Sequence, residues 1–325
     1  MAKAKSISDN LLGHRVRLRD LHVLTEVVRW RGMAKAAPHL AMSQAAVSEA
    51  VASLERALGV KLLERSARGI APTIYAEALL KRGHVVFDEL RQGIRDIEFL
   101  ADPTVGEIRV ACAEMPAAGL VPAAIDLLAR QNPRIVVRVV QTAPFNASGL
   151  EFHELRERKV DLVVTGIHGK FADEDMVIEH LFEEPNFVVV GASSPWAKRR
   201  KVELRELIDE PWIFPPNPVI VKMIRHAFQA KKLQPPAERV SASSIPLRNY
   251  LLGTGRYLTV LTNSVLHFNG DNWGLRALPV DLGVTPPSIA ILTLRGRMLN
   301  PAVETFIQRL RDAAMPMKVL TKGQK

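Results

Sequence analysis

A single cysteine, Cys112, in 325 residues excludes an intramolecular disulfide and a thiolate zinc cluster. The nine histidines show no HxH or HExxH spacing, so no metal site is expected. No grouping of Ser, His and Asp carries a nucleophile elbow, and no residues take up named catalytic roles, which argues against an enzyme. No apolar run approaches the ~18 residues that cross a bilayer. The opening MAKAKSISDN carries Lys3 and Lys5 with no apolar stretch behind them, so no secretory signal is expected. Gly253-Thr254-Gly255 lacks the further glycines of a phosphate loop and reads as a helix-ending turn. Cys112 falls in an apolar run and reads as a packed thiol. With 47% hydrophobic and 24% charged residues, nothing suggests a mostly disordered chain. The expectation is a cytoplasmic globular protein with no cofactor and no membrane partner.

What is present is positive charge. Lys and Arg number 44 against 34 for Asp and Glu, a net of +10. The first seventy residues hold 12 basic and 6 acidic side chains, so 6 of the 10 surplus charges sit in about a fifth of the chain. Such a surplus favours a polyanion such as nucleic acid, although a solvated basic surface would look the same by charge alone.

Periodicity locates the elements. Residues 1–16 are polar and aperiodic, a loose arm. Leu18, Leu21, Leu24 and Val28 recur at helical spacing up to Gly32. Residues 34–40 form a second, Ala-rich helix in which Pro38 requires a first turn or a distortion. Ser43 is placed to N-cap a third helix over 44–58, with Val47, Val51, Leu54 and Leu58 on one face. Ala45, Glu49, Ala52 and Arg56 lie opposite, with Ser48 and Ser53 on the flanks, and Gly59 ends the helix. Residues 61–73 suit a small hairpin around Arg65, Arg68 and Gly69. Residues 74–101 read as one long helix with a stripe of Leu79, Val86, Leu90, Ile94 and Ile97, suggesting a dimer seam.

Beyond Asp102-Pro103, short β-rich runs alternate with helices. Strands are expected at 108–113, 135–140, 161–165, 187–191, 212–214, 240–241 and 257–261, with helices from Pro116, near 150–158 and at about 300–311. Such alternation predicts an α/β arrangement with mainly parallel sheets. The length left over suits two lobes and a cleft.

Three helices followed by a basic hairpin form a winged helix-turn-helix, whose third helix must present small or polar groups to the major groove. Alanine methyls there suit thymine and Gln44 suits adenine, while Arg65 and Arg68 would meet phosphates or the minor groove. Three-helix units also occur without DNA.

The residues Ala36-Ala37 and Leu40, then MSQAAVSEAVASLERALGVKLLER at 42–65 and RGIAPT at 68–73, resemble the N-terminal domain of LysR-type transcriptional regulators. GEIRVACA at 106–113, VDLVVTG at 160–166 and YLLGTGRYLTVLTNSV at 250–265 extend a weaker resemblance along the chain. The resemblance implies an α/β protein with an N-terminal winged helix-turn-helix at 14–73 and a linker helix at 74–101. A two-lobed sensor of the periplasmic-binding-protein type 2 architecture follows, with lobe I at 102–180 and 286–325 and lobe II at 181–285. It implies DNA contacts at Ser43, Gln44, Ser48, Arg65 and Arg68, to which the outward face of the third helix adds Ala45, Glu49 and Ala52. Glu49 stands where the family commonly has arginine; it either accepts from cytosine or pairs with Ser53 or Arg56 within the helix. The implied effector site comprises Ala113, Glu114, Met115, Thr165, Gly166, Pro216, Asn217, Ser243 and Ser244. Helix N-termini near Pro116 and Ile245 would offer amides to an anion. Glu114 stands where a small hydroxyl residue is frequent; it would repel a carboxylate and accept from sugar hydroxyls or a cation. The implied partners are duplex DNA, an organic-acid or sugar-like effector, further copies of the chain as dimer or tetramer, and RNA polymerase for an activator. A solute-binding protein or an α/β enzyme with a degenerate DNA-binding module would leave residues 18–101 unexplained.

Overall fold

The computed structural model describes residues 15–66, 69–141, 152–167, 169 and 173–322; all but the end of the expected N-terminal arm lies outside them. The chain forms two compact units, Met1–Arg91 and Gln92–Lys325.

The first unit opens with α1 (Leu18–Trp30), α2 (Met33–His39) and α3 (Gln44–Leu58). Val23 and Val27 of α1 pack with Ala36 and Ala37 of α2 and with Val47, Ala50 and Val51 of α3. Leu24 and Leu54 form a second cluster with Leu62, Ala76 and Leu80. Leu18, placed in the α1 stripe by its spacing, is exposed instead. Pro38 lies in the last turn of α2, not the first; the chain tightens just after it, with the Ala41 amide returning to the Pro38 carbonyl at 3.2 Å. Ser43 caps α3 by accepting from the Ala46 amide at 3.2 Å, and Gly59 ends that helix at φ +70°.

The hairpin pairs β1 (Leu63–Ser66) antiparallel with β2 (Gly69–Pro72), Leu63 opposite Pro72. Gly69 has φ +110°, and a Cβ there would lie 2.7 Å from the Arg31 carbonyl oxygen, so the wing turn requires glycine. The helix α4 (Ile74–Ala101) spans the expected range; along it Val86, Leu90, Ile94 and Ile97 are exposed.

The second unit contains two five-stranded sheets. One has the order β4 (Arg134–Gln141), β3 (Val105–Cys112), β5 (Leu162–Ile167), β12 (Ser288–Leu294), β6 (Met176–Glu183). It is covered by α5 (Glu114–Ala118), α6 (Leu120–Gln131), α7 (His153–Arg156) and α11 (Pro301–Lys322). The other has the order β11 (Leu275–Ala277), β7 (Asn186–Gly191), β10 (Leu258–Thr262), β8 (Trp212–Phe214), β9 (Glu238–Ser241). Its helices are α8 (Pro218–Ala230), α9 (Ile245–Gly253) and α10 (Asn263–Asn269), and Trp212, Phe214 and Phe228 fill one of its faces.

The sheets are mixed rather than mainly parallel. β3 pairs parallel with β4 and β5, and β8 with β9 and β10, but β12 runs antiparallel to β5 and β6, and β7 to β10 and β11. The cause is the path of the chain. β7 and β12 each start where the chain crosses between sheets, so they run away from the crossing while β5, β6 and β10 run toward it. The outward crossing falls at Glu184 and Pro185, because Leu181 and Phe182 still belong to β6. The helix expected near 150–158 shrinks to α7, and its start at Leu150 lies outside the described residues. α11 passes Arg311 and continues through Pro316 to Lys322.

Asp161 ties the last turns of α4 to the first sheet. Fully buried, it accepts from the Arg109 amide and guanidinium, both at 2.8 Å, and from Arg297 at 3.0 Å. Gln92 donates to the same carboxylate at 3.5 Å and accepts from Asn300 at 3.1 Å. Removing one partner of a buried ion pair strands the other, at about 3–5 kcal/mol. Asp161→Ala should therefore lower the urea-unfolding free energy by that amount; a loss below about 1 kcal/mol would contradict the pairing.

Candidate functional sites: a recognition helix and a cleft

In the first unit, Ser43, Gln44, Ala45, Ser48 and Glu49 are all exposed along α3, and Ala52 is partly so. Their exposure follows from the burial of Val47, Ala50, Val51 and Leu54 on the opposite side. Glu49 forms an ion pair with Arg56, which decides between its two expected intrahelical partners. Both side chains are about two-thirds exposed. Such a pair is worth about 1 kcal/mol at most, so it can open to a base without large cost. Arg65 stands in β1 opposite Ile70, and Arg68 lies outside the described residues.

Sequence reasoning missed Glu55, which fixes the wing to α3. It accepts from Lys61 at 2.7 Å and from the Leu62 amide at 2.8 Å. Burial acts to raise its pKa, but these hydrogen bonds and the Lys61 charge outweigh it and hold the carboxyl below its ordinary value.

In the second unit a cavity of about 140 Å³ opens between the two sheets. Eight of the nine residues expected to hold an effector line it: Ala113, Glu114, Met115, Thr165, Gly166, Pro216, Asn217 and Ser243. Strand ends and helix starts bring them together. Ala113 and Glu114 follow β3, Thr165 and Gly166 close β5, Pro216 and Asn217 lead into α8, and Ser243 follows β9. Ser244 is outside the lining, and its hydroxyl is committed to capping α9 by accepting from the Leu247 amide at 3.3 Å. Asn217 likewise spends its carbonyl oxygen on the Val219 amide at 3.0 Å.

The electrostatics differ from the expectation for Glu114. Its carboxylate is 2.9 Å from Arg248 Nη2, and that arginine is fully buried. The negative charge set against a carboxylate ligand is therefore compensated within the protein. Burial raises the Glu114 pKa against the pull of Arg248. The arginine was legible in one respect: it sits three residues after Ile245 and four before Leu252, on the buried face of α9.

Glu184, at the outward crossing, also lines the cavity and was not expected. It is 1% exposed. Its Oε1 accepts from the Ser264 amide at 2.8 Å, and its own amide donates to the Pro287 carbonyl at 2.7 Å. Oε2 is buried with no hydrogen-bond partner. Burial pushes its pKa up to about 7, against the hydrogen bonds at the start of α10. Thr262 adds a second buried oxygen, Oγ1, without a partner. Apolar walls come from Pro116, Pro215, Ile220, Val260, Pro287 and Ile289, and no lysine, arginine or histidine is among the described lining residues.

The raised carboxyl has a consequence for stability. Between the ordinary value of 4.5 and about 7, the folded protein holds a proton that the unfolded chain has lost. Stability contributed by this group is complete below 4.5 and disappears as pH rises through about 7, by ~3 kcal/mol in all. Urea unfolding at pH 5, 6, 7 and 8 should show this fall, and Glu184→Gln should flatten it. Identical slopes in the two proteins would contradict the assignment.

Known proteins share both parts of this arrangement. Residues 18–77 match the bacterial regulatory helix-turn-helix family of LysR type, and residues 101–315 match the LysR substrate-binding domain. The transcriptional regulator PcaQ of Agrobacterium fabrum is 25% identical over 94% of this chain and 97% of its own. GbpR of Azospirillum brasilense, also described as a transcriptional regulator, is 22% identical over 92% and 87%. Among solved structures, CbnR in complex with its target DNA covers 92% of this chain and 100% of its own, at TM-score 0.58 and 19% identity. A full-length OxyR variant of Pseudomonas aeruginosa covers 94% and 97%, at TM-score 0.58 and 20% identity. At such identities the solved structures speak for the fold, and the two family matches, together spanning most of the chain, carry the assignment. The chain belongs to the LysR family: it is a DNA-binding transcriptional regulator with a winged helix-turn-helix and a two-lobed α/β substrate-binding domain.

Proposed function

We propose that the protein reads operator DNA through Ser43, Gln44, Ala45, Ser48, Glu49 and Ala52 on α3, with Arg65 and Arg68 of the wing on the backbone. In this reading the cleft in the second unit takes a small effector. The domain limits that go with it are 14–73, 74–101, 102–180 with 286–325, and 181–285, the second limit moving to the crossing at Glu184 and Pro185. The observation that carries the reading is the exposure of small and polar residues along one face of an N-capped helix whose other face is buried. Small side chains let the backbone approach the major groove, and Gln44 is a bidentate partner for adenine.

The protein acts in the cytoplasm as an assembly of identical chains. The exposed stripe Val86, Leu90, Ile94 and Ile97 on α4 supports a dimer through that helix. A second interface through the substrate-binding domains makes a tetramer. An effector touching both sheets favours the closed cleft by its differential affinity. Closure then alters the spacing of the DNA-binding pairs, leaving each recognition helix unchanged. An activator of this design also meets RNA polymerase. The chain performs no catalysis in this account.

Gln44→Ala should weaken specific operator binding by about 1–3 kcal/mol in mobility-shift titrations, far more than it weakens binding to random duplex. Equal losses on both would contradict base reading. Arg68→Ala should weaken both and reduce the salt slope by about one. Leu90→Asp should lower the assembly by one step in sedimentation of the full-length protein. An unchanged mass would place the seam elsewhere.

A further inference from the structure

The reading of the cleft as the ligand site leaves the ligand's chemistry open, and the cavity wall constrains it. Two carboxylates reach the wall, and no cationic side chain does among the described lining residues. One of the two, Glu114, already has a counter-charge in Arg248. The other, Glu184, is buried, half-satisfied by the Ser264 amide, and keeps Oε2 without a partner. Its neighbour Thr262 offers a further unpartnered oxygen on the same wall. An unpaired buried acceptor is costly, and a donor supplied by a ligand removes that cost.

A carboxylate ligand would meet the unpartnered Oε2 of Glu184 and no lysine, arginine or histidine among the described lining residues, Arg248 being fully buried against Glu114. A cavity of about 140 Å³ is close to the ~150 Å³ that holds a benzene-sized ring. Pro215, Ile220, Val260 and Ile289 would enclose that body. Resting on the cleft reading, we infer that the cavity takes a compact ligand with a ring-sized apolar body and a protonated amine, with Glu184 as the acceptor of the amine.

The charged groups around Glu184 leave it to answer to such a ligand. From α5 comes Glu114, already paired with Arg248; from β6 come Glu179, paired with Arg311, His180, exposed and 3.0 Å from Ser288, and Glu183, exposed; from α10 comes His267, also exposed. β7 and β12 carry no titratable side chain. A cation held against Glu184 selects its ionised form. With the carboxyl at about 7 in the free protein, the ionised fraction rises from about 0.1 at pH 6 to about 0.9 at pH 8. Amine affinity therefore rises about tenfold across that range.

The test uses full-length protein and three probes of one shape: benzylamine, benzyl alcohol and benzoate, titrated by calorimetry at pH 6 and pH 8. Gly166→Leu serves as the blocked cavity. The nearest atoms to a Cβ at Gly166 belong to the lining residues Pro287 and Ile289, at ordinary contact distances of 3.8 Å or more, so a side chain added there is designed to fill the space. Benzylamine should bind about tenfold more tightly than either other probe at pH 8. It should weaken about tenfold at pH 6 and lose binding in Gly166→Leu. Glu184→Gln should bring the three probes level and remove the pH slope. Should that variant fail to fold, the probe order and pH series of the unsubstituted protein decide alone. Benzoate or benzyl alcohol binding as tightly as the amine, and blocked by Gly166→Leu, would overturn the amine assignment and leave the cleft reading in place. If no probe responds to Gly166→Leu, the cleft reading falls as well.

Discussion

Glu184 ties together the places where the chain passes between the two sheets of the second unit. Its amide donates to Pro287 on the returning strand, and its carboxylate accepts from Ser264 at the start of α10. One residue thus joins the outgoing crossing, the incoming crossing and the second sheet. Prolines 185, 286 and 287 flank these connections and fix φ there. The same carboxylate faces the cavity. A ligand that touches it acts on the element through which the two lobes are joined, so binding and lobe geometry share one residue.

The first unit solves a different problem, presenting a helix to a polyanion without a strongly basic face. α3 carries Glu49, Glu55 and Arg56 but no run of lysines. Glu55 turns inward to hold the wing, and Glu49 is screened by Arg56. In the proposed reading, attraction to phosphate is left to the wing arginines and the other basic residues of the first seventy. The helix would then contribute close approach and base-edge chemistry, separating affinity from specificity across the two elements.

Elements governed by neighbours in sequence were legible. The limits of α3 follow from Ser43 and Gly59, the wing from Gly69, and α4 from an uninterrupted stripe. Eight lining residues of the cavity were legible through the family resemblance, because the strand ends that carry them recur with recognisable flanks. Elements that depend on the return of the chain were not. β12 pairs with β5 and β6 from more than a hundred residues away, and no local pattern announces its direction. Ser244 came with Ser243 from the family resemblance; its hydroxyl caps α9, and Ser243 alone of the pair lines the cavity. Glu184 carried no signal: a glutamate beside Glu183 and Pro185 reads as an exposed turn. Only the arrival of α10 and Pro287 from distant sequence buries it. Arg248 was half legible, since helical spacing places it on the buried face of α9 although its partner Glu114 lies far off in the chain.

In the proposed mechanism, cleft geometry and the spacing of DNA-binding pairs are one equilibrium. Coupling between two binding events is reciprocal, so DNA that fixes the spacing must change the affinity of the cleft. The direct measurement is the affinity of one cleft ligand for the full-length protein saturated with a complete operator, compared with protein saturated with a single half-site. Only the complete operator constrains the spacing. The account predicts a ligand affinity that differs between the two duplexes, by about fivefold or more. Equal affinities on both would contradict it.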